Sequence, residues 1–223
     1  SLWEPSALNP IVAPDVVTKW MLEMIFDGVV AINEKMEIIP ELATSWDISS
    51  DGTVYTFKLR PNVKWHDGKD LTADGVKFTY DTIIDPKQPR TLAKSDYAVV
   101  DKIEAVDPQT VRITLKKADA SFISKLAVGI APKHLLQGQE AATAAFNRKP
   151  IGSGPFKFVE WAAGQKVALE ANTNYFRGRP KLDKLLWQIT PDSNVLTVQI
   201  LNGEVDAGPI INPRDLPKFK EKT

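Results

Sequence analysis

Two short stretches hold residue types that could do chemistry: Gly152-Ser153-Gly154-Pro155 and Trp65-His66-Asp67-Gly68. A serine between glycines suggests a phosphate cradle or a nucleophile elbow. The cradle needs Gly-x-x-x-x-Gly-Lys-Ser/Thr or Gly-x-Gly-x-x-Gly feeding a helix N-terminus, and neither pattern occurs here. The elbow needs Gly-x-Ser-x-Gly between a strand and a helix. Here Ser153 leads through Gly154-Pro155 into the alternation Phe156-Lys157-Phe158-Val159, which reads as a strand. The segment is therefore assigned to backbone geometry, with Gly152 and Gly154 supplying positive φ and Pro155 fixing the entry to the strand. His66 beside Asp67 invites a metal or acid–base reading, yet the chain has only two histidines. A zinc site needs more ligands at recognisable spacing, and neighbours on extended chain face opposite sides. The expectation is a surface turn at Trp65–Gly68 and a structural His134 opening a helix. Carboxylates are plentiful, but nothing sets two of them across a scissile bond. No catalytic residue, metal or cofactor is assigned.

Composition narrows the classes further. Lys plus Arg and Asp plus Glu number 28 each, so no global field draws in nucleic acid or anionic lipid. Cysteine is absent, which excludes disulfides, thiolate metal sites and cysteine nucleophiles. No apolar run reaches the length of a membrane span. No signal peptide precedes Ser1, which leaves a mature exported form, a trimmed one or a cytosolic one.

The elements that must position any site follow from periodicity. Asp15 reads as the N-cap of a helix carrying Val16, Val17, Trp20, Met21, Met24 and Ile25, ended at Asp27-Gly28. Tyr55, Phe57 and Leu59 alternate with polar residues as a half-buried strand after an Asp51-Gly52 turn. Thr72 caps a second helix that Pro86 stops, and residues 101–117 form a hairpin about Asp107-Pro108. Residues 131–150 read as helical with a polar face. Val167 and Leu169 return as a strand beside Phe156 and Phe158. Near the end, "KLLWQIT", "DSNVLTVQILNG" and "EVDAGPI" read as strand, helix and strand, a βαβ unit with parallel strands. The fold class is α/β with an α+β insert, and the patterned positions of Trp46, Trp161 and Trp187 place them in the core. In an open α/β sheet, ligands lie beyond the carboxyl ends of the parallel strands. Those ends here are residues 190–193 and 208–212.

Several stretches in order resemble the family 5 extracellular solute-binding proteins, the dipeptide, oligopeptide and nickel receptors of ABC importers. They include "LNP" (8–10), "MIFDGVV" (24–30), "IIPELATSWDISSDGTVYTFKLRPNVKWHDGKDLTADGVKFTYD" (38–81) and "DPQTVRITL" (107–115). "APKH" (131–134), "PIGSGPFKFVEW" (150–161) and "NYFRGRPKLDKLLWQITPDSNVLTVQILNGEVDAGP" (174–209) continue the series. The chain departs from the pattern at Gly75, where the family usually has an acidic residue.

The resemblance implies a periplasmic-binding-protein-like type II lobe, a mixed sheet with a βαβ unit, carrying an inserted β-rich α+β domain. Residues 1–43 and 161–223 would be lobe I and residues 44–160 the insert, with Gly-Ser-Gly-Pro as the return between them. Family members run on into a second lobe, so the chain is expected to be an N-terminal half with the C-terminal lobe missing. The family's function is capture of peptides or similar small solutes by lobe closure and delivery to ABC permease subunits, with no bond made or broken. A sensor or regulator borrowing the fold is the alternative reading, and a hydrolase a further one. Export follows, to the periplasm or the cell exterior, with lipid anchoring through a removed N-terminal segment. Family architecture and the strand-end rule together place Asn9, Pro10, Ile11, Thr18, Lys19 and Trp20 on the lobe I side of the cleft. Asp206, Gly208, Pro209, Ile210 and Asn212 are expected opposite the hinge.

Overall fold

Alternation builds the main sheet of this computed structural model, which describes residues 4–12, 15–88, 91, 94–190, 192–208 and 213–220. Strands β3 (Ala43–Ile48), β4 (Val54–Leu59), β5 (Val100–Asp107) and β6 (Thr110–Leu115) pair in the order β3-β4-β6-β5, all antiparallel. Register sets Tyr55 opposite Ile113 and Phe57 opposite Val111, so one face is apolar throughout. Helix α2 (Ala73–Ile84) packs on β5 and β6 and buries Val76, Tyr80 and Ile83. Its N-cap is Thr72 as expected, although the threonine side chain makes no capping bond. Gly75 lies beneath Trp65, where an added Cβ would sit 3.4 Å from the indole ring.

Helix α1 (Val16–Ile25) starts where Asp15 accepts the main-chain N–H of Thr18, and it leads into the short hairpin β1 (Val30–Ile32) and β2 (Ile38–Pro40). A second sheet holds β7 (Phe156–Ala162), β8 (Lys166–Ala171) and β9 (Lys184–Gln188), again antiparallel. The buried apolar residues form one cluster from Leu8 to Leu169 that runs through α1, both larger sheets and α2.

Three expectations are corrected. Residues 131–150 hold only a helical turn, α3 (Lys133–Leu136), and a 3-10 turn at Ala145–Arg148. Gly138 leaves α3 with φ +81°, and the Asn147 side chain takes the carbonyls of Ala141 and Ala142, each at 3.0 Å, which satisfies the chain without a helix. Gly152 and Gly154 do not have positive φ. A Cβ on Gly152 would lie 1.8 Å from the Ile25 carbonyl oxygen, and one on Gly154 2.6 Å from the Ile25 carbonyl carbon. These glycines are required by close approach of two backbones.

The third correction concerns the end of the chain. Helix α4 (Ser193–Asn202) is capped by Asp192, which accepts from the N–H groups of Asn194 and Val195, and it ends at Gly203 in the left-handed region. Residues 204–208 then run as bend and coil, and no parallel pairing exists among the described residues. Strand β9 alternates exposed and half-buried positions rather than being covered on both faces, as a parallel strand needs. The expected strand continues into Pro209 and Ile210, which lie outside the described residues. Helix α5 (Leu216–Lys220) closes the described chain.

Candidate functional site

The N-terminal candidates form one anchored cluster. Asn9 is fully buried, and its side chain donates to Asn147 Oδ1 at 2.9 Å and accepts the Ile11 N–H at 3.0 Å. Pro10 and Ile11 are buried beside it. Thr18 is buried too, its hydroxyl donating to Asp15 Oδ2 at 2.7 Å and accepting the Ser6 N–H at 3.1 Å. These groups spend their hydrogen-bonding capacity on holding the loop. Lys19 is exposed and Trp20 half-buried, so these two keep side-chain surface for a solute.

Of the C-terminal candidates, Gly208 sits against α4. Asp206 is exposed, and Gly208 lies so close to the helix that a Cβ would be 2.7 Å from Ile200 Cδ1. A nook of about 70 Å³ opens there between β9 and α4, lined by Leu186, Trp187, Thr190, Leu196, Val205 and Ala207. Pro209, Ile210 and Asn212 lie outside the described residues. The structure thus gathers the candidates into two groups on different elements.

A third group escaped the sequence reading. His66 is not on a free surface turn. Its Nδ1 accepts the Gly152 N–H at 3.2 Å, its Nε2 lies 3.0 Å from the Gly154 carbonyl, and its own N–H donates to the Gly152 carbonyl at 2.7 Å. An accepting Nδ1 requires the proton on Nε2, so the ring is neutral. Burial pushes the imidazole down to about 4, helped by the Lys157 ammonium. Asp67 faces the other way and meets His134 Nε2 at 2.7 Å.

On the opposite side of the same loop, Ser153 is 1% exposed and donates to Asp27 Oδ2 at 2.7 Å, while Tyr175 donates to Asp27 Oδ1 at 2.7 Å. The Gly154 N–H reaches the Ile25 carbonyl at 2.8 Å. At 1% exposure the Ser153 hydroxyl is out of reach of a solute, whatever its hydrogen bond to Asp27. The arrangement is a clasp that pins Gly152–Pro155 to the end of α1. Its only sequence signal was the glycine spacing.

Among the described residues, no group of three or more His, Cys, Asp or Glu side chains could hold a metal ion. No helix among the described residues is long and apolar enough to cross a membrane.

Comparison with known proteins gives a consistent result. A family model described as bacterial extracellular solute-binding proteins, family 5 Middle, matches residues 37–223. The oligopeptide-binding protein AppA of Bacillus subtilis is 36% identical over 212 residues, covering 92% of this chain and 39% of that protein. Di/tripeptide-binding protein 4 of Pseudomonas aeruginosa is 34% identical, covering 89% of this chain and 42% of its own length. Among solved structures, NikZ from Campylobacter jejuni in complex with Ni(L-His) superposes with a TM-score of 0.90 at 35% identity, over 97% of this chain and 43% of that one. The chain therefore spans about 40% of the length of the curated relatives it matches. These relatives are binding proteins, and the solved structure shares the fold of this chain over nearly its whole length. The family match across most of its residues shows that the chain belongs to the bacterial extracellular solute-binding proteins of family 5.

Proposed function

We propose that this chain forms one side of a solute-binding protein of an ABC import system, which encloses a peptide or similar small solute and passes it unaltered to membrane permease subunits. The similarity to AppA and to the Pseudomonas di/tripeptide-binding protein, over nine-tenths of this chain, carries the reading. Those relatives are more than twice as long, and in this reading the remaining length supplies the opposing lobe that closes on the solute. Residues 44–160 then act as the inserted domain, and Gly152–Pro155 as its return. The family's extracellular setting supports work in the periplasm or at the cell exterior, with a lipid anchor as the finer form of the proposal.

On the lobe I side, Lys19 offers an ammonium to a solute carboxylate and Trp20 an apolar face, while Asn9, Pro10, Ile11 and Thr18 shape the loop that presents them. Asp206, Gly208, Pro209, Ile210 and Asn212 would meet the solute from beyond α4. Ligand sites bury most of their occupant, so this chain alone should bind more weakly than a protein with both lobes. The test is native mass spectrometry of the protein isolated with its cargo, followed by calorimetry with the solute identified. An intact solute, bound at least fivefold more weakly by Lys19→Ala and Trp20→Ala, is expected. Recovery of a cleaved product, or unchanged affinity in both variants, overturns the reading.

A further inference from the structure

Two carboxylates share the interior of the clasp. Asp27, just after α1, is 2% exposed, and both of its oxygens accept hydroxyl protons, from Ser153 and Tyr175. Burial raises the Asp27 carboxyl above its ordinary range, while the Tyr175 and Ser153 hydroxyls and then the Arg177 charge favour its anion and hold that rise back. Glu41, between β2 and β3, is differently placed. Its Oε2 accepts the Gly28 N–H at 2.8 Å, but its Oε1 faces only Arg177 Nη1 at 3.7 Å, beyond hydrogen-bond reach.

The charged and titratable groups around Glu41 come from every neighbouring element. Asp27 and Glu23 of α1 add negative charge, Arg177 adds positive charge, and Tyr80 of α2 and Tyr175 complete the shell. Arg60 binds the Glu41 main-chain carbonyl through Nε at 2.7 Å and stacks on Phe176. Arg177 itself is shared: it donates to the Pro40 carbonyl and also lies over Phe176. One shared, partly exposed guanidinium does not neutralise both the buried Asp27 and the half-buried Glu41 as anions. The pair therefore holds a proton, and Oε1 of Glu41 is the atom free to carry it.

We propose that Glu41 is a proton-operated pin, which closes the joint between the end of α1, the Gly152–Pro155 return and the Tyr175–Arg177 segment when protonated and loosens it when ionised. Burial first, then the charge of Asp27, pushes the Glu41 carboxyl up to about 7, which places the change in the neutral range. The folded chain keeps a proton that an unfolded glutamate has already released. That contribution is complete below the ordinary glutamate range and drains away as pH rises through about 7.

The experiment compares the chain with Glu41→Gln, which mimics the protonated carboxyl and still accepts from Gly28. Thermal unfolding between pH 5.5 and 8 should show a fall in Tm of roughly 5 °C that the variant lacks. Amide exchange at Gly154, taken as the ratio of the two proteins at each pH, should be near one at pH 5.5 and rise about tenfold by pH 8. Parallel Tm curves, or a ratio that does not change with pH, overturn the proposal. Should the variant fail to fold, the carboxyl carbon of Glu41 in the unsubstituted chain decides by NMR: a midpoint near 7 supports the pin, and one near the ordinary 4.5 removes it.

Discussion

The sheet β3–β6 and the segment running from β9 through α4 to residue 208 have comparable apolar patterns and opposite fates. In the first, Phe57, Val111 and Ile113 are fully buried in a sheet that α2 covers through β5 and β6 and that Phe122 meets at Tyr55, all within one continuous stretch of chain. In the second, Leu186, Val195 and Val198 remain exposed, and β9 is an edge strand. Both regions announce which side chains want cover. Only the first carries its own cover close by in sequence. Hydrophobic patterning thus specifies a face, while burial depends on whether a partner element is present.

The contrast can be broken at its strongest point by Phe57→Ala. Removing a wholly buried ring between two strands should cost about 3–5 kcal/mol in denaturant unfolding. A loss under about 1 kcal/mol would mean that the sheet is no better packed than the β9 region. The clasp offers a pH test of nearly the same size. Because the folded His66 titrates near 4, below its ordinary 6.5, its neutral form is favoured by folding. Stability from this residue is therefore present above 6.5 and lost as pH falls towards 4, by about 3 kcal/mol in all. His66→Gln, which keeps a donor for the Gly154 carbonyl, should flatten that acid limb. An unchanged limb would detach His66 from the joint. The sign is opposite to that of Glu41, so the two sides of the clasp are separable.

Glycines sharpen the comparison next. Gly152→Ala drives a methyl group into the Ile25 carbonyl and should cost roughly 1–3 kcal/mol or more, because two backbones must separate. Gly203→Ala, with open space around it but φ at +75°, should cost only about 1–2 kcal/mol of left-handed strain. Urea midpoints of the two variants measure the difference. Equal losses would show that the return is not held by steric contact.

What was readable in the sequence divides along the same line. The alternation of Tyr55, Phe57 and Leu59 found β4, and Asp15 and Asp192 were found as N-caps because capping joins residues three apart at most. The turn at Gly52 was legible for the same local reason. Gly152 and Gly154 were singled out correctly as structural but for the wrong cause, since the opposing carbonyl of Ile25 is remote in sequence. Residues 131–150 lost their helix to a side chain, Asn147, that competes for the carbonyls. The clasp was invisible because Asp27, Glu41, His66, Ser153 and Tyr175 come from five separate segments and no one spacing joins them. At the candidate solute site, the family resemblance placed Asn9 and Thr18 on the cleft as readily as Lys19 and Trp20. Only burial separates loop-holding groups from those with free surface.

The smallest expected effect is the one that bears most directly on the second region. Leu186, 64% exposed on β9, and Val198 on the outer side of α4 contribute little to folding if nothing in this chain covers them. Leu186→Ser combined with Val198→Thr should leave the unfolding free energy within about 0.5 kcal/mol. The same pair should reduce concentration-dependent association in sedimentation, because it removes part of an exposed apolar face. A loss of 2 kcal/mol or more, roughly what burying such a side chain contributes, would show that this face already has cover in the chain. The distinction between the two regions would then be one of degree, and the β9–α4 surface would cease to be available to an opposing lobe.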